Sequence, residues 1–293
     1  MKTIASTESS PYSTSISTQV APPIVVIGAN RRWWGLELSE LWKYRELIFA
    51  MSRRDIKTRY TQSVIGVGWL LISPLFTIAV MTVIFSYWAK IPSEGIPYPL
   101  FVYSAMLPWG YFAKSLERSS TSVANEGSLI TKVYFPRVII PIASTLGGLV
   151  DFAVGLVLVL GMGLWFGITP TWGILALPLF LGLALATALA VSLWLSALHV
   201  RYHDIGAITP LLIQVWMYAS PVIYPLSLVP EQWRTLYSLN PMVGVIEGFR
   251  WALLGKTPPD FSLVAVGAGI VLIVLYGGYL FFKKCEQTFA DII

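Results

Sequence analysis

The chain contains 293 residues, of which 56% are hydrophobic and only 12% are charged, with a formal net charge of +5. Soluble domains carry about 25% charged residues, so this composition, with a mean hydropathy of +0.69, excludes an ordinary soluble protein. The basic residues stand mostly beside apolar stretches, where they orient a membrane protein and meet anionic lipid. We therefore expect membrane lipid, and no nucleic acid, as a partner. The single cysteine, Cys285, excludes an intrachain disulfide and a cysteine metal cluster.

Residues 1–35 are predicted to form a disordered or weakly ordered cytoplasmic tail. The segment up to Pro23 is rich in Ser, Thr and Pro, and it lacks the apolar core of a cleavable signal peptide. Insertion into the membrane is then directed by the first apolar stretch that follows the tail.

An amphipathic helix is predicted over residues 36–63, because residues 36–60 contain no Gly or Pro and apolar residues recur there at spacings of three and four. Its basic end meets the headgroup layer, so we expect an interface or gate helix that lies along the membrane surface. Arginine binds phosphate oxygens bidentately and tyrosine can stack on a sugar, which suits a phosphorylated lipid headgroup. An anchor that only fixes topology is the alternative. The residues assigned to this entrance are Arg53, Arg54, Lys57, Arg59 and Tyr60.

Six apolar stretches follow, and most reach the ~20 residues that a helix needs to cross a bilayer. They predict an all-α membrane protein with a six-helix transmembrane domain over residues 64–282. The stretches are 64–89, 100–115, 138–168, 173–198, 205–226 and 261–282. Nine Lys or Arg residues precede the first stretch and only Lys90 stands in the loop after it, which predicts a cytoplasmic N-terminus. Six spans return residues 283–293 to the same side of a bacterial cytoplasmic membrane.

A second cytoplasmic segment, residues 125–137, is too short for a domain and too apolar for a plain linker. Asn125 is predicted to cap a short helix that Pro136 ends. We expect this helix to dock on a partner protein, and a hairpin helix resting on the membrane surface is the alternative. The residues assigned to docking are Asn125, Glu126, Leu129, Ile130, Val133 and Tyr134.

Residues 229–254 are predicted to form two short helices on the outer side of the membrane. Pro230 can start the first helix, while Asn240 and Pro241 supply the cap and first position of a second helix that closes at Gly255. Neither is long enough to cross, so we expect a re-entrant pair that forms an outer gate. An interfacial aromatic belt is the alternative. The residues assigned to the gate are Trp233, Tyr237, Glu247, Phe249, Arg250 and Trp251.

Three motifs that could suggest catalysis or metal binding are incomplete. The run Gly255-Lys256-Thr257 lacks the upstream glycine and the strand of a phosphate loop. His199 and His203 have a helical spacing, yet no glutamate follows the first histidine as zinc proteases require. Asp151 lies in an apolar stretch, as either a functional acid or a hydrogen-bonded packing residue. We therefore expect no catalytic residue, metal site or cofactor in this chain.

Five motifs spread over most of the chain point to one protein family. They are Arg54-Asp55-Ile56-Lys57-Thr58-Arg59-Tyr60 followed by Gly66, Trp69 and Pro74; Asn125-Glu126-Gly127 with Val133-Tyr134-Phe135-Pro136-Arg137; Val200-Arg201-Tyr202 with Asp204; Ser220-Pro221-Val222-Ile223-Tyr224; and Asn240-Pro241-Met242 with Glu247-Gly248-Phe249-Arg250. Their order strongly resembles the permease subunits of ABC transporters that export lipid-linked polysaccharides such as O antigens and, in Gram-positive relatives, teichoic acids. The resemblance covers residues 36–282.

The resemblance implies a homodimeric type-2 ABC exporter bound to two copies of a separate ATP-binding subunit, which holds ATP and Mg. The pair surrounds a path for an undecaprenyl-diphosphate-linked glycan. Residues 36–63 are then the interface and gate helix, residues 125–137 the coupling helix, and residues 229–254 the outer gate.

Aromatic side chains offer flat faces along which sugar rings can slide, so eight of them are candidates for the channel lining. They are Tyr87, Trp88, Tyr98, Phe101, Tyr103, Trp109, Trp216 and Tyr224. An exporter of a small amphiphile or drug shares the architecture and is the main alternative function. A membrane glycosyltransferase is a weaker alternative, because it needs clustered carboxylates at a cytoplasmic membrane edge and the acids here are scattered.

Overall fold

The computed structural model describes residues 38–61, 66–169, 171–255 and 257–289. The tail predicted over residues 1–35 and the side chain of Tyr60 lie outside the described part. Within the described ranges the chain is helical and contains no strand. The helices are α1 (Leu38–Lys43), α2 (Arg45–Thr61), α3 (Trp69–Met81), α4 (Tyr98–Asn125), α5 (Gly127–Lys132), α6 (Ile139–Leu146), α7 (Leu149–Trp165), α8 (Leu177–Arg201), α9 (Ile205–Tyr218), α10 (Glu231–Ser238), α11 (Pro241–Leu254) and α12 (Phe261–Glu286).

Four helical segments among the described residues are long and apolar enough to cross a membrane, which confirms a membrane protein with several apolar helices. The segments are Trp69–Trp88, Ile139–Trp165, Trp172–Arg201 and Phe261–Glu286. They coincide with the first, third, fourth and sixth of the predicted stretches. The first combines α3 with a π-helical turn, Thr82–Trp88.

The second and fifth predicted stretches take other forms. The second lies within α4, a helix of 28 residues that runs on past the apolar part and carries Lys114, Glu117 and Arg118. The fifth is helical only over α9, which has 14 residues and is therefore about 21 Å long, short of the ~30 Å hydrocarbon core of a bilayer. The chain then leaves the helix at Ala219 and runs through a buried irregular segment, residues 220–223. The prediction of six spans stays a prediction.

The third stretch is interrupted between α6 and α7 by Gly147 and Gly148. The Arg59 Nη2 donates a hydrogen bond to the Gly147 carbonyl at 3.1 Å. A Cβ atom on Gly147 would lie 3.0 Å from that nitrogen, and one on Gly148 would lie 2.9 Å from the Ser115 Oγ. The two glycines therefore let α2 and α4 approach the break closely.

The predicted interface helix is divided into α1 and α2 by a turn at Tyr44, where the amide of Tyr44 donates to the Leu41 carbonyl at 3.2 Å. The apolar positions predicted for one side, which include Ile48 and Met51, contact a cluster of buried residues in the same chain. The apolar side of this helix therefore packs on the protein itself, chiefly on α6.

Two apolar clusters form the core. The larger one joins α4, α7, α8 and α11, and the smaller one lies around α2, α6 and the last turns of α12. Glycine permits the closest contact of the larger cluster, since a Cβ atom on Gly248 of α11 would lie 2.3 Å from the Phe180 ring of α8. Close packing of small against large residues is typical of helix contacts in membranes.

Candidate functional sites at the two ends of α4

The 28 residues of α4 join the two ends of the molecule, about 42 Å apart along the helix axis. At its start, the Tyr98 hydroxyl donates to the Ile223 carbonyl at 3.0 Å, next to α11. At its finish, Glu126 pairs with Arg54 of α2. We call these regions the α11 end and the α2 end, and the predicted site residues divide between them.

At the α2 end, Arg54 is tied to two carboxylates. Its guanidinium forms a close bidentate pair with Glu126, with one of the two hydrogen bonds at 3.3 Å, and it also contacts the Asp55 Oδ1 at 3.3 Å. Hydrogen bonding to Glu126 raises the pKa of Arg54. The pair links the interface helix to the first residue after α4, although Arg54 remains about half exposed.

A second ion cluster at the α2 end is centred on Asp151 of α7. The Oδ2 atom of Asp151 accepts from the Arg59 Nη1 at 3.2 Å and from the Arg118 Nη2 at 3.1 Å. Arg59 also donates to the carbonyls of Asp55 and Gly147, both at 3.1 Å. The carboxylate inside the apolar stretch is therefore held by two arginines, one from α2 and one from α4. These contacts fit the hydrogen-bonded packing role that the sequence analysis gave as one of two alternatives for Asp151.

The predicted entrance residues fall into different environments. Arg54 and Arg59 are engaged in the ion pairs above, whereas Arg53 and Lys57 are exposed on α2. Arg118 is not among the site residues predicted from the sequence. Its spacing of four residues from Lys114, on a helix that continues beyond an apolar stretch, could have identified it.

A polar cavity of about 470 Å³ opens between α2, α4 and α6 at this end. Its polar lining includes Arg54, Asp55, Arg59, Arg118 and Glu126. Three guanidinium groups thus face one space together with the carboxylates of Asp55 and Glu126. Arg59 and Arg118 are also paired with Asp151.

The prediction that Asn125 caps the coupling helix is wrong. A cap residue needs a non-helical backbone, and Asn125 is the last residue of α4, with its side-chain amide donating to the Thr121 Oγ1 at 3.4 Å. The following helix, α5, begins at Gly127 after Glu126, and no side chain caps it.

The apolar residues assigned to docking are only partly available. Ile130 is buried at 6% exposure in the core of its own chain, whereas Val133 and Tyr134 are 52% and 68% exposed. The segment is also fixed to the end of α12, because the Arg137 amide donates to the Glu286 Oε1 at 2.7 Å and its guanidinium donates to the Glu286 carbonyl. Val133 and Tyr134 therefore form an exposed apolar pair next to a segment that is hydrogen-bonded to the end of α12.

At the α11 end, the segment predicted to form two short helices contains α10 and α11. Asn240 occupies the cap position of α11 and accepts from the Met242 amide at 3.0 Å, Pro241 is its first residue, and Gly255 ends it in the left-handed conformation at φ 67°. The Asn240 side chain has three further hydrogen bonds, from the Trp216 Nε1 at 2.9 Å and to the Ala219 carbonyl and the Ser220 Oγ at 3.0 and 2.8 Å. One amide thus joins the end of α9 to the start of α11.

Arg250 is the most deeply buried charge of the α11 end, with its side chain 4% exposed. Its guanidinium carbon lies 3.9 Å from the centre of the Phe101 ring, a cation–π contact between α11 and α4. Its Nη1 donates to the Glu247 Oε1 at 3.0 Å and its Nη2 to the Val222 carbonyl at 3.1 Å. Glu247 and Arg250 therefore face each other, and Arg250 holds the irregular segment after α9 through the Val222 carbonyl.

The residues assigned to the outer gate differ in exposure. Trp233 of α10 is 53% exposed, and Tyr237 is half-buried with its hydroxyl bonded to that of Tyr224. Phe249 of α11 is fully buried and packs edge-to-face on Phe152. The exposed face of the outer pair is thus α10, and α11 belongs to the core.

The aromatic residues assigned to a channel divide in the same way. Four of them are buried at 1–4% exposure within the chain: Tyr98, Phe101, Tyr103 and Trp109. These four do not line a surface of this chain in the structure. Tyr87 and Trp88 are 77% and 70% exposed, and Trp216 and Tyr224 are half-buried and hydrogen-bonded. Burial separates the set because the helices are apolar on most sides, so sequence pattern does not reveal which side faces the core.

Among the described residues, no group of three or more His, Cys, Asp or Glu side chains is arranged to hold a metal ion. The rings of His199 and His203 lie 5.7 Å apart at the end of α8. Gly255, from the run that resembles a phosphate loop, ends α11, and Lys256 lies outside the described residues.

The comparisons with known proteins agree with this helical membrane architecture. Residues 46–254 match the model of the ABC-2 type transporter family, and the chain belongs to that family. It is similar to the O-antigen export system permease protein RfbA of Myxococcus xanthus, with 29% identity over 257 residues, 87% of this chain and 98% of that protein. A protein of the same name from Klebsiella pneumoniae is 26% identical over 85% of this chain and 95% of its own. The polysialic acid transport protein KpsM of Escherichia coli is 25% identical over 82% of this chain and 93% of its own.

Proposed function

We propose that the chain is the permease subunit of an ABC transporter that exports a lipid-linked polysaccharide, of the O-antigen kind, out of the cytoplasm. The observation that carries the proposal is the extent of the similarity to the O-antigen export permeases, which covers 98% and 95% of two relatives. By contrast, the inner membrane transport permease YadH matches over only 30% of its length. The similarity to the polysaccharide permeases thus extends over regions of the chain that the match to YadH does not cover. This difference favours a glycan over a small amphiphile as the substrate.

The energy is proposed to come from a separate ATP-binding subunit that holds ATP and Mg. Family membership supports such a partner, and the exposed pair Val133 and Tyr134 beside α5 offers an apolar surface of the kind that a partner covers. On this proposal the α2 end is cytoplasmic and two copies of the ATP-binding subunit are bound, one to each permease.

The path for the glycan is proposed to lie between two copies of the chain. The interior of a single copy is filled by buried aromatic side chains, including Phe101, Phe112 and Phe249. A cavity of about 610 Å³ between α8, α9 and α12 is apolar. A sugar chain needs a continuous polar path, which two copies facing each other could enclose.

Reconstitution tests the proposal directly. The chain and its cognate ATP-binding subunit are inserted into vesicles that contain an undecaprenyl-diphosphate-linked glycan, and appearance of the glycan on the far side is measured with a lectin. We expect transport that requires ATP, with none for the same glycan without its lipid. Transport of an amphiphilic dye at a rate that the glycan does not affect would contradict the choice of substrate.

The orientation is tested by thiol labelling after replacement of the native Cys285 by Ser. A cysteine at the exposed Gln232 of α10 should react with an impermeant reagent from outside the cell, and a cysteine at Thr131 of α5 only after the membrane is opened. A cysteine at the buried Ile246 of α11 is the matched control that should react slowly from either side. The opposite pattern at Gln232 and Thr131 would overturn the proposed sidedness.

A further inference from the structure

Two cavities near the α2 end share the side chain of Arg118. One is the polar cavity of about 470 Å³ between α2, α4 and α6, and the other is a cavity of about 170 Å³ between α3, α4 and α7. The second cavity is lined by polar groups that include Ser73, Thr77, Lys114, Arg118 and Asp151. Arg118 thus lines both the cavity beside α2 and the smaller cavity beside α3.

The guanidinium of Arg118 is incompletely bonded. Its Nη2 donates to the Asp151 Oδ2 at 3.1 Å. Its Nη1 is buried and has no hydrogen-bond partner among the described residues. A buried N–H group of a charged side chain that lacks an acceptor carries a free-energy cost. A bound anion that supplies the missing acceptor would remove this cost.

The cations around Arg118 favour an anion. Lys114 lies one helical turn before Arg118 on α4 and lines the smaller cavity. Lys114 and Arg118 line that cavity together with the single carboxylate of Asp151, which leaves one positive charge in excess. Glu117, the neighbouring acid on α4, lines neither cavity.

The depth of the smaller cavity matches the headgroup of a lipid. Ser73 and Thr77 stand in the first part of α3, a segment apolar enough to span, and Arg118 follows the apolar part of α4. The outer face of α3 beside the cavity is exposed and apolar at Ile72 and Phe76. A lipid whose phosphates occupy the cavity could therefore lay its hydrocarbon chain along α3.

We propose that Lys114 and Arg118 form a binding site for the diphosphate of a polyprenyl diphosphate carrier, in the cavity between α3, α4 and α7. The proposal rests on the proposed function for its lipid-linked substrate and adds residues and a position to it. Lys114 contacts one phosphate, the Arg118 Nη1 contacts the other, and Asp151 orients Arg118 through its Nη2. Two linked phosphates offer each cation its own acceptor group, so we expect the site to prefer diphosphate to monophosphate carriers.

The test is equilibrium binding to the complete complex in nanodiscs of neutral phospholipid. Radiolabelled undecaprenyl diphosphate is the probe, and undecaprenyl monophosphate and free inorganic pyrophosphate are the competitors. We expect Lys114→Gln and Arg118→Gln each to weaken binding of the probe about ten-fold, the effect of losing one charge-assisted hydrogen bond. Arg118→Lys should restore most of the affinity, and Arg201→Gln, which removes an exposed cation at the end of α8, should match the unaltered complex. Free pyrophosphate should compete only at much higher concentration than the lipid.

The outcomes separate the site from the function. Unchanged affinity in both glutamine variants, with normal binding to the unaltered complex, overturns the site and leaves the lipid-linked substrate in place. Failure of the unaltered complex to bind the probe overturns both. Equal competition by the monophosphate carrier overturns the diphosphate assignment, and pyrophosphate as potent as the lipid would mean a free anion site. If Arg118→Gln does not assemble, Lys114→Gln decides the matter, because the Lys114 side chain is exposed in the folded chain.

Discussion

Replacing Arg250 by Met should destabilise the protein more than any other single charge removal at the α11 end. The side chain is 4% exposed and lies over the Phe101 ring at 3.9 Å. It donates to Glu247 at 3.0 Å and to the Val222 carbonyl at 3.1 Å. Methionine fills a similar volume and supplies none of these polar contacts, so Glu247 is left without its cation.

The expected loss follows from these contacts. A hydrogen bond that involves a charged group contributes about 1.5–3 kcal/mol, and a desolvated cation–π contact contributes about 2 kcal/mol. Such terms are not additive, and measured losses on breaking one side of a buried ion pair are about 3–5 kcal/mol. We therefore expect about 3–5 kcal/mol, which corresponds to a melting temperature lower by about 6–20 °C.

The assay is thermal unfolding of the detergent-purified chain, followed as the fraction that remains monodisperse after heating. Arg234→Met is the matched control, because Arg234 of α10 forms a surface pair with Glu231 at 3.6 Å and donates one hydrogen bond to the Val229 carbonyl at 3.2 Å. Surface pairs contribute about 0–1 kcal/mol, so its loss should be smaller than that of Arg250. The double variant Arg250→Met with Glu247→Gln should recover part of the loss, since no buried charge is then unpaired. A single variant as stable as the control, or a double variant no better than the single one, would refute the buried-pair reasoning.

Three further predictions concern stability and coupling to the ATP-binding subunit. Gly248→Ala should lower stability by about 1–3 kcal/mol, because the added Cβ would lie 2.3 Å from a buried phenylalanine ring. Gly182→Ala is the control that should not lower it, because a Cβ there meets nothing within 4 Å. Equal melting temperatures for the two variants would contradict the close contact. Asn240→Ala should cost about 2–3 kcal/mol through four lost hydrogen bonds, and an unchanged melting temperature would show that α9 and α11 are held by packing alone. Replacing Val133 and Tyr134 together by Ser should leave the permease folded and ATP hydrolysis uncoupled from transport, and normal glycan export would exclude their coupling role.

The parts of the fold that local chemistry governs could be predicted from the sequence. The two helices after α9 follow from Pro230, Asn240, Pro241 and Gly255, because each of these residues acts within one turn of its own position. The structure bears this out, with Asn240 at the cap and Gly255 at φ 67°. The apolar stretches likewise identify the long helices through composition alone.

Interactions between distant parts of the chain could not be predicted in this way. Arg54 meets Glu126 across 72 residues and Arg59 meets Asp151 across 92 residues, so no local pattern links the partners. The sequence therefore offered the four cations in the second half of α2 as a phosphate site, although Arg54 and Arg59 are engaged with carboxylates of the same chain. The burial of Tyr103 could not be predicted for a related reason. In a helix that is apolar on every side, the sequence pattern does not indicate which face packs in the protein core.

The arrangement of α4 gives a reason to consider its two ends together. Phe101 supports the buried Arg250 near its start, and Arg118 holds Asp151 three-quarters of the way along. A helix is stiff along its axis, and α4 packs along most of its length on α8. A displacement of α5 by a partner subunit would therefore move Arg118 and Phe101 in the same direction. If the α11 end opens as the gate predicted from the sequence, we expect the Phe101 ring to leave the Arg250 guanidinium. Phe101→Leu, which weakens that contact while preserving an apolar side chain, should then raise the rate of opening that thiol labelling detects at Tyr237→Cys in the Cys285→Ser background.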